Sequence, residues 1–169
     1  QEAGPTEDGA YTFTGATAVG PRNPGARVFL PSEDEWYKAA YYRAADGFGY
    51  WRYPTRSDTE PVPSLPTGSA NSANYEQVAG GVTEVGAYGG AAGPFGTADQ
   101  AGNVWEWTEG LVGEGRSICG GSWDDYPLLL EASYRDSEDP EAEYEFIGFR
   151  VAALPPGPGT PFRRGNVNQ

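Results

Sequence analysis

The sequence has no histidine, no methionine and only one cysteine among its 169 residues. Without histidine the chain has no side chain whose unperturbed pKa lies near neutrality, and no imidazole that binds zinc, copper or iron. The composition therefore disfavours most acid–base and redox enzymes. Cys119 cannot form an intramolecular disulfide on its own, so cysteine usage does not indicate the compartment. The simplest interpretation of Cys119 is a small buried hydrophobic side chain.

Basic residues and long apolar runs are also scarce. The chain has 11 Lys and Arg against 24 Asp and Glu, which gives a formal net charge of −13. This charge repels a phosphate backbone, so we expect no nucleic-acid partner. No apolar run approaches the roughly 20 residues that cross a bilayer, so we expect no membrane span. The start at Gln1 is consistent with removal of a signal peptide and equally with a cut in a longer sequence.

Glycine, proline and tryptophan are abundant, at 25, 15 and 5 residues. Their abundance is typical of a loop-rich fold in which a few large rings supply much of the buried area. The length and the apolar content of 38% fit one domain, which we place at residues 10–154. Residues 1–9 and the Pro/Gly-rich residues 155–169 are predicted to be tails.

One helix is predicted near residues 32–46. Ser32 and Glu35 form an S-x-x-E capping box, and Asp46-Gly47 ends the helical pattern. Short β-prone runs at 11–14 and 27–30 flank a Gly/Pro/Asn stretch, as expected of two strands joined by a loop. Residues 48–95 show no sustained period of 2 or 3.6, which predicts long ordered loops.

The segment from Asp99 to Trp107 leads from a glycine turn into a strand-like alternation. Trp105 and Trp107 are predicted to share one face of this strand, with Glu106 on the other. Glu106, Asp99 and backbone carbonyls of the turn could line a pocket for a hard cation such as calcium. Alternatively, Glu106 caps backbone amides and Asp99 starts a turn, and the spacing does not decide between the two.

Four ordered segments resemble the formylglycine-generating-enzyme, or sulfatase-modifying-factor, family. They are residues 29–36 (FLPSEDEW), 102–107 (GNVWEW), 119–123 (CGGSW) and 147–151 (IGFRV). The resemblance implies an α+β fold of the C-type-lectin-like kind, rich in loops and poor in regular secondary structure. The family's N-terminal strands and first helix have no counterpart here, so the chain is a C-terminal portion of the family domain or a reduced version.

The resemblance also bears on catalysis. Oxidase members carry two copper-binding cysteines after the Gly-Gly-Ser-aromatic motif, and those positions fall near Asp125 and Leu130. A carboxylate and a leucine cannot form a soft cuprous site, so we expect no copper and no oxidase activity. Relatives that make sulfoxides for ergothioneine synthesis place a histidine-rich iron site in a separate domain. We therefore predict that this chain is not an enzyme.

The calcium loop is the family feature that does match. The resemblance assigns calcium to the side chains of Asp99 and Glu106 and to the backbone carbonyls of Gly102 and Val104. A second family site begins near residues 74–75, but the acidic residue expected downstream is not clearly placed between 80 and 88.

Residues 124–145 hold nine acidic residues and one basic residue, interleaved with tyrosines. The main hypothesis is a secreted or cell-surface module that binds a protein or glycan, suited by charge to a basic partner. Its predicted ligand-binding residues are Asp124, Asp125, Tyr126, Tyr134 and Asp136. The alternatives are a solvated acidic loop without a partner, a self-associating structural subunit of an extracellular assembly, and an enzyme of unfamiliar chemistry.

Overall fold

The structure is a computed structural model that describes residues 9–13, 19–43 and 49–155. Most of the two predicted tails lies outside these residues. By its internal contacts the chain separates into two compact units. Unit 1 comprises residues 1–29 and 151–169, and unit 2 comprises residues 30–150.

The described residues contain one α-helix, α1 (Glu33–Tyr41), and short strands on either side of it. In chain order the strands are β1 (Tyr11–Phe13), β2 (Val19–Arg22), β3 (Val28–Phe29), β4 (Tyr42–Arg43), β5 (Gly49–Tyr50), β6 (Val62–Pro63), β7 (Ser72–Ala73), β8 (Trp105–Val112), β9 (Gly115–Cys119), β10 (Asp136–Glu138), β11 (Ile147–Phe149) and β12 (Ala152–Ala153). This confirms the predicted α+β, loop-rich architecture. No helix in the described part of the chain has both the length and the apolar character that a membrane span needs.

Unit 1 contains two small antiparallel sheets. The β-prone runs at 11–14 and 27–30 do form strands β1 and β3, but these strands do not pair with each other. Strand β1 pairs with β2, and β3 pairs with β12, so that Phe29 lies opposite Ala152. The guanidinium carbon of Arg22 lies 3.5 Å from the centre of the Phe29 ring.

Helix α1 begins as predicted and ends early. The Ser32 hydroxyl accepts from the Glu35 amide at 3.1 Å, and the Glu35 carboxylate accepts from the Ser32 amide at 2.8 Å. This reciprocal pair is the predicted capping box. The prediction that the helix runs to residue 46 is wrong, because it ends at Tyr41 and the next residues form β4, which pairs with β5. Antiparallel pairing with the nearby strand β5 overrides the helical pattern of these residues.

The main sheet of unit 2 has the strand order β10-β9-β8-β11. Strand β8 contains the predicted alternation around Glu106, and it pairs antiparallel with β9. Strand β11 pairs parallel with β8 and places Gly148 opposite Glu106. The parallel register brings the two family segments at 102–107 and 147–151 side by side.

The core of unit 2 consists of two clusters dominated by aromatic rings. One contains Tyr53, Ala73, Tyr75, Ala101 and Leu130, and the other contains Trp36, Ala40, Tyr41 and Cys119. Buried tyrosines fasten the loops between 49 and 95: the Tyr75 hydroxyl donates to the Pro61 carbonyl at 2.5 Å and the Tyr88 hydroxyl donates to the Ser64 carbonyl at 2.6 Å. These bonds explain how a segment with little regular structure stays ordered.

Candidate functional site

A buried ion pair lies at the junction of α1, β8 and β11. Both carboxylate oxygens of Glu106 accept from the Arg150 guanidinium. The Trp36 indole also donates to Glu106, at 2.6 Å, and Arg150 donates in addition to the Ala98 carbonyl at 3.1 Å. A two-pronged guanidinium–carboxylate contact is among the stronger hydrogen-bonded arrangements in proteins. It fastens the helix to the sheet and to the loop before Asp99.

Asp99 takes no part in this ion pair and instead binds backbone amides of a neighbouring loop. It has a φ of 57°, a turn conformation that aspartate tolerates. Its carboxylate accepts from the backbone amides of Gly86 and Tyr88, the latter at 3.4 Å. Asp99 and Glu106, the two predicted side-chain calcium ligands, therefore have different partners. Within the described ranges, no three His, Cys, Asp or Glu side chains are grouped to hold a metal.

Gly102 packs directly against the backbone of Asn74. It has a φ of +71°, and a Cβ at this position would lie 2.1 Å from the Asn74 carbonyl oxygen. Only glycine fits such an approach. The Asn103 side-chain oxygen then accepts from the Asn74 amide group at 3.1 Å and from the Thr83 backbone amide at 2.8 Å. Val104, the fourth predicted ligand, follows this network and precedes β8.

Of the oxygen atoms near the 99–106 loop, some are suited to calcium and others already have partners. The Oδ1 atom of Asn74 is buried and accepts no hydrogen bond in the described structure, and an oxygen of this kind suits a hard cation. Both oxygens of Glu106, by contrast, are engaged by Arg150. Calcium at Asp99, Gly102, Val104 and Glu106 stays a prediction, and the ion pair is the competing role for the Glu106 carboxylate.

Three of the five predicted ligand-binding residues interact with one another, with Tyr134 at the centre. Asp125 accepts from the Ser122 backbone amide at 2.8 Å and from the Ser122 hydroxyl at 2.7 Å. The Tyr134 hydroxyl donates to Asp136 at 3.3 Å, and the Tyr134 and Trp105 ring centres are 6.1 Å apart. Burial raises the pKa of Tyr134, and the charges of Asp136 and then Asp125 raise it further. We call Asp125, Tyr134 and Asp136 the acidic tyrosine cluster.

The other two predicted residues lie on the surface. Asp124 is exposed and accepts from the side-chain amide of Gln77, and Tyr126 is 69% exposed. The structure thus separates a half-buried cluster with defined hydrogen bonds from an exposed acidic loop. The sequence pattern alone grouped them because all five belong to one acidic, tyrosine-bearing stretch.

The positions aligned with the oxidase cysteines hold no metal-binding group suited to copper. Leu130 is fully buried, and Asp125 is bonded to Ser122. Cys119 is buried as well, and burial raises the pKa of its thiol to about 12. Copper prefers soft thiolate donors, and non-haem iron takes two imidazoles with a carboxylate. With one cysteine and no histidine, the donor set of this chain fits neither metal.

Comparisons with known proteins identify relatives. A family model described as "Sulfatase-modifying factor enzyme 1-like domain" matches residues 10–154. The chain is 32% identical over 150 residues to hercynine oxygenase of Mycobacterium tuberculosis, covering 76% of this chain and 32% of that protein. It is 32% identical over 152 residues to hercynine oxygenase of Mycolicibacterium smegmatis, covering 76% and 33%. The chain thus spans about a third of the length of these curated relatives.

Two solved structures are similar in fold. Treponema denticola variable protein 1 superposes with a TM-score of 0.58 at 23% identity, over 80% of this chain and 51% of that chain. CarF gives a TM-score of 0.58 at 27% identity, with the same coverage of 80% and 51%.

Two predictions are wrong in the light of these relatives. The chain was expected to be a non-catalytic module that binds a protein or glycan, and not an enzyme, whereas the curated relatives at 32% identity are oxygenases by name. Missing thiolates at the positions of Asp125 and Leu130 argue against one copper chemistry in this family, and they say nothing about catalysis that relies on other groups.

Proposed function

The chain belongs to the sulfatase-modifying factor enzyme 1-like family, and we propose that it forms part of an oxygenase related to hercynine oxygenase. The observation that carries the proposal is the 32% identity over 150 residues to the Mycobacterium tuberculosis enzyme. Because the chain spans about a third of that relative, the proposal concerns the contribution of this domain and not the whole reaction.

The acidic tyrosine cluster is the part of this chain that we assign to the substrate. Burial and the carboxylates of Asp136 and Asp125 raise the pKa of the Tyr134 hydroxyl above its ordinary value, which by itself already keeps a phenol protonated at neutral pH. A protonated phenol can donate a hydrogen bond or a proton to a substrate atom. Ser122 fixes Asp125, and the buried Trp105 supports the tyrosine ring from the side of β8.

Oxygen consumption tests the proposal. The natural protein is supplied with hercynine, and hercynine-dependent oxygen uptake is recorded at an electrode. We expect Tyr134→Phe to lower kcat by about 100-fold, the typical contribution of a positioned proton donor, with little change in KM. Tyr144→Phe is the matched control because Tyr144 is exposed and stacks on Phe146 at 5.0 Å, outside the cluster.

The two parts of the proposal fail in different ways. Wild-type protein that shows no hercynine-dependent oxygen uptake contradicts the oxygenase assignment. Normal uptake with an unchanged kcat in Tyr134→Phe contradicts only the role of the cluster.

Three further proposals accompany this function. The first is a structural calcium ion, supported by the match of the 99–106 loop to the family. The second is an extracellular or cell-surface location, which is in keeping with the formal charge of −13. The third is self-association, which light scattering over a range of protein concentrations measures directly.

A further inference from the structure

Arg135 directly follows Tyr134 in the chain and binds the backbone on both sides of it. Its Nη1 atom donates to the carbonyls of Ala132 and Tyr134, at 2.8 Å each. Because the guanidinium group is planar and its N–H groups point in fixed directions, these bonds fix the peptide units before Ser133 and after Tyr134 relative to each other. The segment from which the Tyr134 side chain projects is therefore held by a side chain outside the acidic tyrosine cluster.

The same guanidinium group connects this segment to helix α1. Its Nε atom lies 2.5 Å from a carboxylate oxygen of Glu33, the first residue of the helix, and its carbon lies 4.6 Å from the centre of the Tyr37 ring. Residues four apart share one face of a helix, so both contacts are made by the same side of α1. The helix itself is anchored, because the buried Trp36 donates to Glu106 in β8. Arg135 thus fastens the backbone around Tyr134 to a fixed part of unit 2.

The side-chain contacts of Tyr134 hold it only loosely. Its hydroxyl donates to Asp136 at 3.3 Å, whereas O–H···O hydrogen bonds are ordinarily about 2.7–2.8 Å long. Its ring packs against Trp105 with the ring centres 6.1 Å apart. The orientation of the hydroxyl therefore depends on the backbone that carries it.

The effect of Arg135 on the geometry of Tyr134 should outweigh its effect on stability. The Arg135 and Glu33 side chains are 44% and 29% exposed, and ion pairs that water reaches contribute little to the free energy of unfolding. Displacement of a reacting group by about 1 Å, in contrast, can lower a rate by about 100-fold.

We propose that Arg135 is a positioning residue that holds the Tyr134 hydroxyl in the orientation from which it donates to the substrate. The proposal rests on the function proposed above for the acidic tyrosine cluster, and it adds a residue that acts through Tyr134 and not on the substrate. Lysine cannot take the place of Arg135. It keeps the charge and can pair with Glu33, but it lacks the planar fork that engages a carboxylate and two carbonyls together.

The kinetics of Arg135→Lys test the proposal first. The substitution is made in the natural protein and in Tyr134→Phe, and hercynine-dependent oxygen uptake is recorded for both. We expect Arg135→Lys to lower kcat by about tenfold, as for a displacement of less than about 1 Å, with little change in KM. In the Tyr134→Phe background it should cause no further loss, because the hydroxyl that Arg135 positions is absent.

Arg43→Lys is the matched control. The Arg43 guanidinium has partners of the same kinds, since it pairs with Asp58 at 3.1 Å and lies 4.1 Å from the centre of the Trp51 ring. These partners belong to another segment of the chain, so kcat should stay at the wild-type value. Both variants should show similarly small changes in Tm.

The titration of Tyr134 gives a readout that needs no activity. 3-Fluorotyrosine is incorporated, and the fluorine resonance of residue 134 is assigned as the one that Tyr134→Phe lacks. Burial raises the pKa of Tyr134, and the charges of Asp136 and then Asp125 raise it further. A ring that leaves this position loses these influences, so Arg135→Lys should lower the pKa of Tyr134 towards its ordinary value although the net charge is unchanged. Arg43→Lys should leave this pKa as it is in the wild type.

The outcomes separate this proposal from the oxygenase assignment. Wild-type protein without hercynine-dependent oxygen uptake contradicts that assignment, and the titration then decides whether Arg135 orients Tyr134. An unchanged kcat or an unchanged pKa of Tyr134 in Arg135→Lys overturns the proposal, and so does an equal loss of kcat in Arg43→Lys. A further loss of kcat in the Tyr134→Phe background also overturns it, because Arg135 would then act independently of the hydroxyl.

A second variant covers the case in which Arg135→Lys does not fold. Glu33→Gln removes the carboxylate that anchors Arg135 and leaves the arginine in place. It should lower kcat and the pKa of Tyr134 in the same directions. Wild-type values of both in Glu33→Gln overturn the proposal.

Discussion

The ion pair between Glu106 and Arg150 should be a main determinant of the stability of unit 2. The side chains are 6% and 24% exposed, so the pair is largely shielded from water. Removing one partner of a buried pair costs about 3–5 kcal/mol, because the remaining charge loses its compensation. Arg150→Met leaves the Glu106 carboxylate with the Trp36 indole as its remaining described donor. In a protein of this size that loss lowers Tm by about 6–20 °C, at roughly 2–4 °C per kcal/mol.

Glu106→Gln, which changes the other partner of the pair, should lower the free energy of unfolding less than Arg150→Met does. Glu106→Gln keeps an oxygen that can accept from Trp36 at the 2.6 Å distance, and Arg150 keeps its bond to the Ala98 carbonyl. We expect a loss of about 1.5–3 kcal/mol, the range for a hydrogen bond to a charged group. The two single variants and the double variant form a cycle whose coupling energy isolates the pair.

Urea unfolding followed by circular dichroism measures these changes. Asp58→Asn is the control, because the Arg43–Asp58 pair is 31% and 58% exposed and such pairs contribute at most about 1 kcal/mol. An Arg150→Met variant that loses less than about 1 kcal/mol would refute the reasoning, since it would make the buried pair equivalent to an exposed one.

Three further predictions concern calcium, pH and the helix. Calcium bound at the 99–106 loop predicts heat on calorimetric titration and a lower Tm after chelation, both lost in Glu106→Gln; an unchanged Tm on chelation contradicts it. Burial raises the pKa of Cys119 from 9.0 to about 12, so the folded state binds the thiol proton more tightly. The contribution of this proton to the free energy of unfolding is complete below pH 9 and is lost as the pH rises towards 12, at about 1.4 kcal/mol per pH unit. Cys119→Ala should therefore flatten the dependence of the unfolding free energy on pH in this alkaline range. Ser32→Ala removes the N-cap and should cost about 1 kcal/mol, whereas Ser32→Gly should cost only a few tenths, both measured by urea unfolding.

Local features were predictable from the sequence. The capping box depends on residues three apart, Ser32 and Glu35, so its chemistry can be read without knowledge of the fold. The strand around Glu106 was likewise evident from alternation. The partner of Glu106 was not, because Arg150 lies 44 residues further along and reaches it only through the parallel pairing of β11 with β8.

The same distinction explains the end of α1 and the predicted ligand face. The helix stops at Tyr41 because β4 pairs with β5, a contact that helical periodicity does not encode. Asp124 and Asp125 are adjacent in sequence, yet one is exposed and the other accepts two hydrogen bonds from Ser122. Burial thus separates residues that composition treats as equivalent, and only the structure distinguishes a candidate substrate-contacting carboxylate from a solvated one.

The wrong prediction of a non-catalytic module has a related physical reason. The absence of histidine and of paired cysteines limits which metals this chain can hold, but a catalytic domain can contribute hydrogen-bond donors and acceptors without any metal ligand. Tyr134 is the group that we propose in this role, and its environment is set by burial and by two nearby carboxylates, none of which alters the composition. A half-buried tyrosine that is hydrogen-bonded to a carboxylate looks the same in the sequence as the exposed Tyr126. The kcat of Tyr134→Phe, measured against Tyr144→Phe, therefore tests an inference that composition alone could not have produced.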